Sequence, residues 1–433
     1  MKILLIGDTS NRGNWGCRAT SFQLRALLEQ YGKITGAVDT AFLSDPVGPR
    51  TNFKRRWALE GGKPRSTLLN PVRSIARKAF LAFDASALQK HQTIIEKVTP
   101  NDFPALARKI FERKLFPSIA ESMADADAVV VNGEGSFMQD RGVARFKFLL
   151  AYTAKSFFKK PVAIVNHTAD LRNPKLAEFG RLVYPLLDDA LFREPHSVEM
   201  GREFRSNAAF AADCAFRFTP LDAETFMRVA GRGDYYSTYP EDASAFDASI
   251  PYIAVGGSSA YLNKEAQFPQ LAADYEALCA RLSKIAPVVV TASSRPDDKL
   301  LRPVAQRLGL PFLGLSTPVQ QSVDVLGNAL AYVGGRWHPA ILALTGGTPL
   351  VSFSANSDFK SRGVMDLAGI EQTPLSAFEI GGNLERIISR TMDLIDEGSA
   401  LRSRLQVRSD ELRRSSTDNA RMLADLAGVR NAA

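Results

Sequence analysis

The run Gly334-Gly335-Arg336-Trp337-His338-Pro339 brings together residue types that bind anions and move protons. Arg336 offers a planar fork for a carboxylate or phosphate, and His338 can donate to an anion or transfer a proton near neutral pH. Gly334 and Gly335 permit close backbone approach, and Pro339 suits the first turn of a helix. Glu134, within Asn132-Gly133-Glu134-Gly135-Ser136, is the second candidate. A turn more often uses Asn, Asp or Ser, so a carboxylate between two glycines reads as a general acid or base. His167, in Val165-Asn166-His167-Thr168, stands at a corresponding strand end and offers a second base. Gly256-Gly257-Ser258 adds a loop that admits a ligand, while Arg295 and Lys360 add cations. The loop from Gly7 to Thr20 contributes Asn11, Asn14 and Arg18, with Asn132, to a ligand-lining region. Its glycines and the helix start near Arg18 suit an anion, although the spacing is neither a dinucleotide fingerprint nor a P-loop. Cys17 lies near that helix start, but a nucleophilic thiol needs a base partner that the sequence does not identify.

These residues need a frame that presents loops together. Short apolar runs, each followed by a helical pattern, recur along the chain and predict βα units in a parallel sheet. Strands are expected at Lys2 to Ile6, Ala128 to Val131, Val162 to Val165, Ala190 to Phe192 and Ala208 to Ala211. A second set is expected at Tyr252 to Val255, Val288 to Thr291, Phe312 to Leu315, Ala331 to Val333 and Pro349 to Phe353. The fold class is therefore α/β, with two Rossmann-like doubly wound domains whose strand-end loops face a shared cleft. The expected divisions are 1–218 for an N-terminal domain, 219–249 for a linker, 250–382 for a C-terminal domain, and 383–433 for C-terminal helices and a tail.

At 433 residues, with 45% hydrophobic and 23% charged residues, the chain is long enough for two or three domains and is far from a disordered composition. No long uncharged apolar run or signal-peptide pattern stands out, which predicts a cytoplasmic protein, peripheral at the inner membrane face if it meets lipid. Cys17, Cys214 and Cys279 lack zinc-site spacing and are expected as thiols, with no metal. The net charge of +8 is concentrated in residues 50–114, which hold 15 Lys and Arg against 5 Asp and Glu. A basic helical insertion over about 46–118 follows, with Val72, Ile75, Ala79, Phe80 and Phe83 as its apolar stripe. Such a helix suits an anionic membrane or a polyprenyl-linked oligosaccharide, or else it covers a domain core. No nucleic-acid reading motif accompanies the charge, so no nucleic-acid partner is expected.

From Gly334 to Leu344, followed by Gly347-Thr348-Pro349, the sequence resembles the polysaccharide pyruvyl transferase family. Asn356 to Lys360 with Leu367 to Ile370, Arg193-Glu194 with Ser197, and Ala212-Asp213 before Phe216 look like further segments of that family in the same order. The resemblance implies a fold like that of B-type glycosyltransferases. It also implies transfer of the enolpyruvyl unit of phosphoenolpyruvate onto sugar hydroxyls as a ketal, with phosphoenolpyruvate as co-substrate and no cofactor. Arg336 and His338 would then bind the donor in the C-terminal domain, with Arg295, Lys360, Gly334, Gly335, Gly256, Gly257 and Ser258 assisting. The N-terminal domain would take the acceptor, through Asn11, Asn14, Arg18 and Asn132, with Glu134 or His167 as base toward a sugar of a polymer repeat unit. Two readings compete: a glycosyltransferase using an anionic nucleotide sugar such as a CMP-linked ulosonic acid, and a non-catalytic partner of an envelope assembly complex. Placement in a loop rather than on a core stripe predicts that replacing Arg336 or His338 removes function and leaves stability nearly unchanged.

Overall fold

The computed structural model describes residues 1–40, 92–230, 247–355 and 358–428. The stripe from Val72 to Phe83 lies outside them. The first sheet comprises β1 (Lys2–Ile6), β2 (Lys33–Val38), β3 (Ala128–Phe137), β4 (Val162–Ala169), β5 (Asp189–Phe192) and β6 (Ala209–Phe210), ordered β2-β1-β3-β4-β5-β6. The second comprises β7 (Ile253–Ser258), β8 (Val288–Thr291), β9 (Phe312–Leu313), β10 (Ala331–Gly335) and β11 (Leu350–Ser352), ordered β11-β10-β7-β8-β9. Every strand pairing in the two sheets is parallel. Ile3 to Ile6 of β1 and Ala128 to Val131 of β3 read as continuous apolar runs because helices cover both faces. Edge strand β2, Lys-Ile-Thr-Gly-Ala-Val, is mostly exposed or half-buried, and its weak pattern hid it from the sequence reading.

The helices that position the site are α1 (Trp15–Leu28), α2 (Phe103–Phe111), α3 (Pro117–Asp125), α4 (Gly142–Ser156), α5 (Pro174–Val183) and α6 (Pro195–Arg202) around the first sheet. In chain order, α7 (Ala223–Ala230), α8 (Phe268–Leu282), α9 (Arg295–Leu308), α10 (Val319–Gly327), α11 (Trp337–Leu344) and α12 (Asp358–Ala368) follow. Within α2, Phe103, Ala107 and Ile110 are buried while Arg108 and Lys109 are exposed, so this end of the basic segment covers a core and turns its charge outward. Burying a side chain such as Phe103 contributes about 1.5 to 3 kcal/mol. Part of the expected linker is helical: α7 buries Phe226 and Ala230 in the second core.

Helices α13 (Leu384–Asp396), α14 (Gly398–Ser415) and α15 (Arg421–Leu426) close the chain. The last returns to the first sheet, where Met422 and Leu423 pack with Ile3 and Leu5, and Arg421 pairs with Asp189. Two further contacts tie the sheets together at the start of α1. Trp15 donates its backbone N–H to the Ser293 carbonyl and its indole N–H to the Gly314 carbonyl, both at 3.1 Å.

Candidate active site

In open parallel sheets, ligands gather beyond the carboxyl ends of the strands. Here those ends face one another across a cleft of about 320 Å³ that holds Glu134, Arg193, Arg336, His338 and Lys360 in its wall.

On the second sheet, β10 ends at Gly335, and Arg336 caps α11 in extended conformation (φ −102°, ψ 126°). Arg336 donates to Asp297 Oδ1 through Nε at 3.1 Å and through Nη2 at 2.7 Å, and to the Ser294 hydroxyl. Asp297 is wholly buried, so it orients one edge of the guanidinium toward the cleft. It also reverses the expectation for stability, because removing Arg336 would strand a buried carboxylate, which typically costs about 3 to 5 kcal/mol.

Two residues later, His338 sits against Gly16 of α1 so closely that a β-carbon there would lie 2.0 Å from its Nδ1. A glycine is needed at that point for the two helix starts to meet. The other ring nitrogen, Nε2, lies 3.4 Å from Asp213 Oδ2 and 3.5 Å from Arg193 Nη1. Arg193 is almost fully buried, donates to Asp213 at 2.7 Å and to the Thr168 hydroxyl at 2.9 Å, and stacks 5.0 Å from the Trp337 ring centre. Burial opposes ionisation of Asp213, but His338, Arg193 and the Ala215 amide outweigh it and hold the carboxyl below its ordinary range. Lys360 enters the cleft from α12 and reaches the loop of Glu134, within 3.2 Å of where a β-carbon on Gly135 would stand. Burial, with the charges of Arg193 and Arg336, pushes its ammonium down to about 7.

Across the cleft, β3 continues past Val131, and Glu134 takes a left-handed conformation (φ 47°). Its Oε1 accepts from the Thr9 hydroxyl and from Asn132 Nδ2 at 3.3 Å, while Oε2 faces the Cys17 thiol at 3.5 Å. Burial and the Glu134 charge push Cys17 up to about 12, so it stays a thiol rather than a nucleophile. Beneath the loop, buried Lys147 of α4 donates to the Asn132 carbonyl at 2.6 Å, the Gly133 carbonyl at 3.3 Å and the Ser136 hydroxyl at 2.9 Å. Burial, only partly offset by Glu134, pulls Lys147 down to about 8.

Several sequence-predicted residues stand elsewhere. His167 is fully buried on β4, its Nε2 3.0 Å from the Tyr184 hydroxyl and its ring 4.2 Å from Phe192. Burial drives it down to about 3, so it is a neutral core residue and not a base toward the cleft. The amides at the start of α1 are not open to an anion, since Asn14 Oδ1 accepts from Gly16 at 2.8 Å and Cys17 at 3.2 Å. Asn14 itself lines the cleft, whereas Asn11 donates to Asp39 at the surface. Arg18 bolts the sheets together through the carbonyls of Leu315 at 2.9 Å and Thr317 at 3.1 Å.

Gly256, Gly257, Gly334 and Gly335 admit protein side chains rather than a donor. A β-carbon on Gly257 would strike Asp297 at 2.2 Å, and Tyr332 and Ser258 fill the space at the other three. Ser258 itself donates to the Ser354 carbonyl at 2.6 Å. Arg295 is exposed at the start of α9 and is not part of the cleft wall. Asp297, Lys147, Asn166 and Thr20 escaped the reading because nothing local marks them; Arg193 and Asp213 were visible only through the family resemblance. No grouping of three His, Cys, Asp or Glu side chains suited to a metal ion occurs among the described residues.

The sequence model of polysaccharide pyruvyl transferases matches residues 63–357, more than half of the chain, and takes in Glu134, Arg193, Arg336 and His338 of the cleft wall but not Lys360. The chain belongs to the polysaccharide pyruvyl transferase family. Pyruvyl transferases are transferases, and this chain is one of them. No curated protein matches it. Among solved structures it is similar to the UDP-GlcNAc 2-epimerase of Neisseria meningitidis bound to UDP-GlcNAc, with a TM-score of 0.56 and 11% identity over 98% of this chain and 100% of that one. It is also similar to Anabaena HepE in complex with UDP-glucose, with a TM-score of 0.51 and 13% identity over 98% of this chain and 100% of that one. At such identities the likeness shows the fold alone, which is the B-type arrangement of two Rossmann-like domains. Among the described residues no helix is long and apolar enough to cross a membrane.

Proposed function

We propose that this pyruvyl transferase moves the enolpyruvyl group of phosphoenolpyruvate onto two hydroxyls of a sugar, in a cell-surface polysaccharide or its lipid-linked precursor, as a pyruvate ketal. The observation that carries the reading is the grouping of charge in the cleft: Arg193 from the end of β5 meets Arg336, His338 and Lys360 from the second sheet's side, with the carboxylate of Glu134 in the same wall. A carboxylate and a phosphate on a small donor match such a cation cluster, and guanidiniums bind both through paired hydrogen bonds.

In this reading C3 of the donor takes a proton and C2 becomes cationic. A sugar hydroxyl adds to C2 and gives up its proton, phosphate departs from C2, and the second hydroxyl takes its place. Two hydroxyl protons are released, one balancing the proton gained at C3 and one leaving with phosphate. Arg193, Arg336 and Lys360 hold the developing negative charge. His338, paired with Asp213, supplies or shares the proton of the departing phosphate. Glu134 Oε2 is the base toward the acceptor hydroxyl, since Oε1 is already engaged by Thr9 and Asn132. The acceptor would enter past Arg12, Asn14 and Arg141, which line the same cleft. The basic segment 50–114 would draw the enzyme to a lipid-linked acceptor at an anionic surface.

The test is incubation of the enzyme with phosphoenolpyruvate labelled with carbon-13 at C2 and a saccharide fraction from the cell envelope. Phosphate release with a ketal carbon in the product supports the reading. Transfer of a sugar from a CMP- or UDP-sugar, without reaction of phosphoenolpyruvate, would overturn it.

A further inference from the structure

Glu134 and Asp213, the carboxylates behind the two proton-handling positions, are joined beneath the cleft by a buried chain of hydrogen bonds. At its centre is Asn166, fully buried on β4 with a left-handed backbone (φ 56°). Its Oδ1 accepts the backbone N–H of Cys214 at 2.9 Å, which leaves Nδ2 as the side facing the site. One Nδ2 proton goes to Asn132 Oδ1 at 3.0 Å, and Asn132 Nδ2 in turn shares its two protons among Glu134 Oε1 at 3.3 Å, the Gly7 carbonyl at 3.3 Å and the Ser21 hydroxyl at 3.2 Å. The other goes to the Thr20 hydroxyl, which donates to Asp213 Oδ1 at 2.9 Å. Asp213 presents its second oxygen to His338 at 3.4 Å and to Arg193 at 2.7 Å.

The direction of every bond is forced. An ionised carboxylate only accepts, the Thr20 hydroxyl has one proton to give, and the Cys214 amide settles which way round the Asn166 amide lies. Both arms therefore donate outward from one NH2 group and end on the two carboxylates. Asn166 is itself clamped by Asn419, from the turn before α15, whose Oδ1 accepts its backbone N–H at 2.8 Å. Successive strand residues face opposite sides of a sheet, so Asn166 turns toward the site as His167 turns away.

We propose that Asn166 is a positioning residue that sets the hydrogen-bond polarity of both arms, holding Glu134 as an acceptor and Asp213 oriented toward His338. The inference rests on the reading of Glu134 and His338 as the proton-handling pair. Asn166→Asp nearly keeps the shape but replaces the central donor by an acceptor. Thr20 and Asn132 then turn protons inward, Asp213 loses a donor, and negative charge is added near it. Arg193 beside His338 and the cleft cations Arg336 and Lys360 are unchanged, so the imidazolium gains stability.

The experiment is NMR titration of the His338 ring in the full-length enzyme without substrate, assigned by its loss in His338→Gln. Asn166→Asp should raise the midpoint by about one pH unit. Thr20→Val, which cuts only the Asp213 arm, should raise it less, and Thr20→Ser should restore the wild-type value. With phosphoenolpyruvate as donor, Asn166→Asp should lower kcat more than it raises KM. If Asn166→Asp does not fold, the Thr20 pair decides. Wild-type midpoints in folded Asn166→Asp and Thr20→Val, or equal shifts in Thr20→Val and Thr20→Ser, would overturn the proposal. The titration needs no substrate, so failure of this coupling and failure of pyruvyl transfer are separate results.

Discussion

At the end of β4 the chain keeps pairing, and at the end of β10 it stops. Pairing carries His167 into register opposite Glu134 on one side and Phe192 on the other. Within a sheet, alternation then decides its fate: its face is lined by Phe137, Tyr184 and Phe192, and the imidazole becomes part of an aromatic layer. Beyond β10 the chain leaves the sheet at Arg336 and begins α11, so His338 occupies a helix start directed at the opposite wall. A histidine past an apolar run thus acquires a role from where pairing ends and which face it takes. Glu134 reaches the cleft wall by a third route, since its left-handed backbone interrupts the regular register of β3 with β4, although the residue itself is largely buried.

The largest effect that probes this contrast comes from Arg336→Ala. It should abolish donor binding and also destabilise the fold by about 3 to 5 kcal/mol, because Asp297 is left buried and unpaired. Chemical denaturation beside the activity assay checks both parts, and Arg336→Ala with Asp297→Asn should recover stability without activity. An unchanged unfolding midpoint in the single variant would remove Asp297 from the account.

The two histidines should then separate in opposite directions. His338→Gln should lower kcat by about 10² to 10⁴ with little change in melting temperature. His167→Gln should lower the melting temperature and leave turnover per folded molecule near wild type, because it disturbs packing and the Tyr184 contact. Comparable activity losses in the two would erase the distinction between core and cleft.

A smaller effect follows from pH. Because Lys360 is pushed down to about 7, its ammonium is present below that pH and lost above it. The KM for phosphoenolpyruvate should therefore rise above pH 7, by up to about tenfold in all, since bound donor restores charge to the amine. Lys360→Met should start from a high KM and lose this dependence. A wild-type KM that is flat from pH 6 to 9 would exclude a charge-binding role for Lys360.

Much of this frame could be read from residues. Runs such as Val288 to Thr291 are bounded by clear breaks and appear as strands with the expected limits. β3 and β4 run several residues longer than expected, since Asn132 to Phe137 and Asn166 to Ala169 contain polar residues and glycines that do not look like strand. That extension is what misassigned His167 and hid Asn166. The ionic partners were hidden for a different reason: Asp297 meets Arg336 across 39 positions and Asp213 meets Arg193 across 20, distances at which only the fold brings charges together.

The central claim is that phosphoenolpyruvate binds in the cleft against the cations while Glu134 serves the acceptor. Calorimetric titration of wild type, His338→Gln and Glu134→Gln with phosphoenolpyruvate tests it most directly. The account predicts binding by wild type, affinity at least about tenfold weaker in His338→Gln, and near-wild-type affinity in Glu134→Gln despite its lost turnover. No binding by wild type, or equal affinity in wild type and His338→Gln, would contradict it.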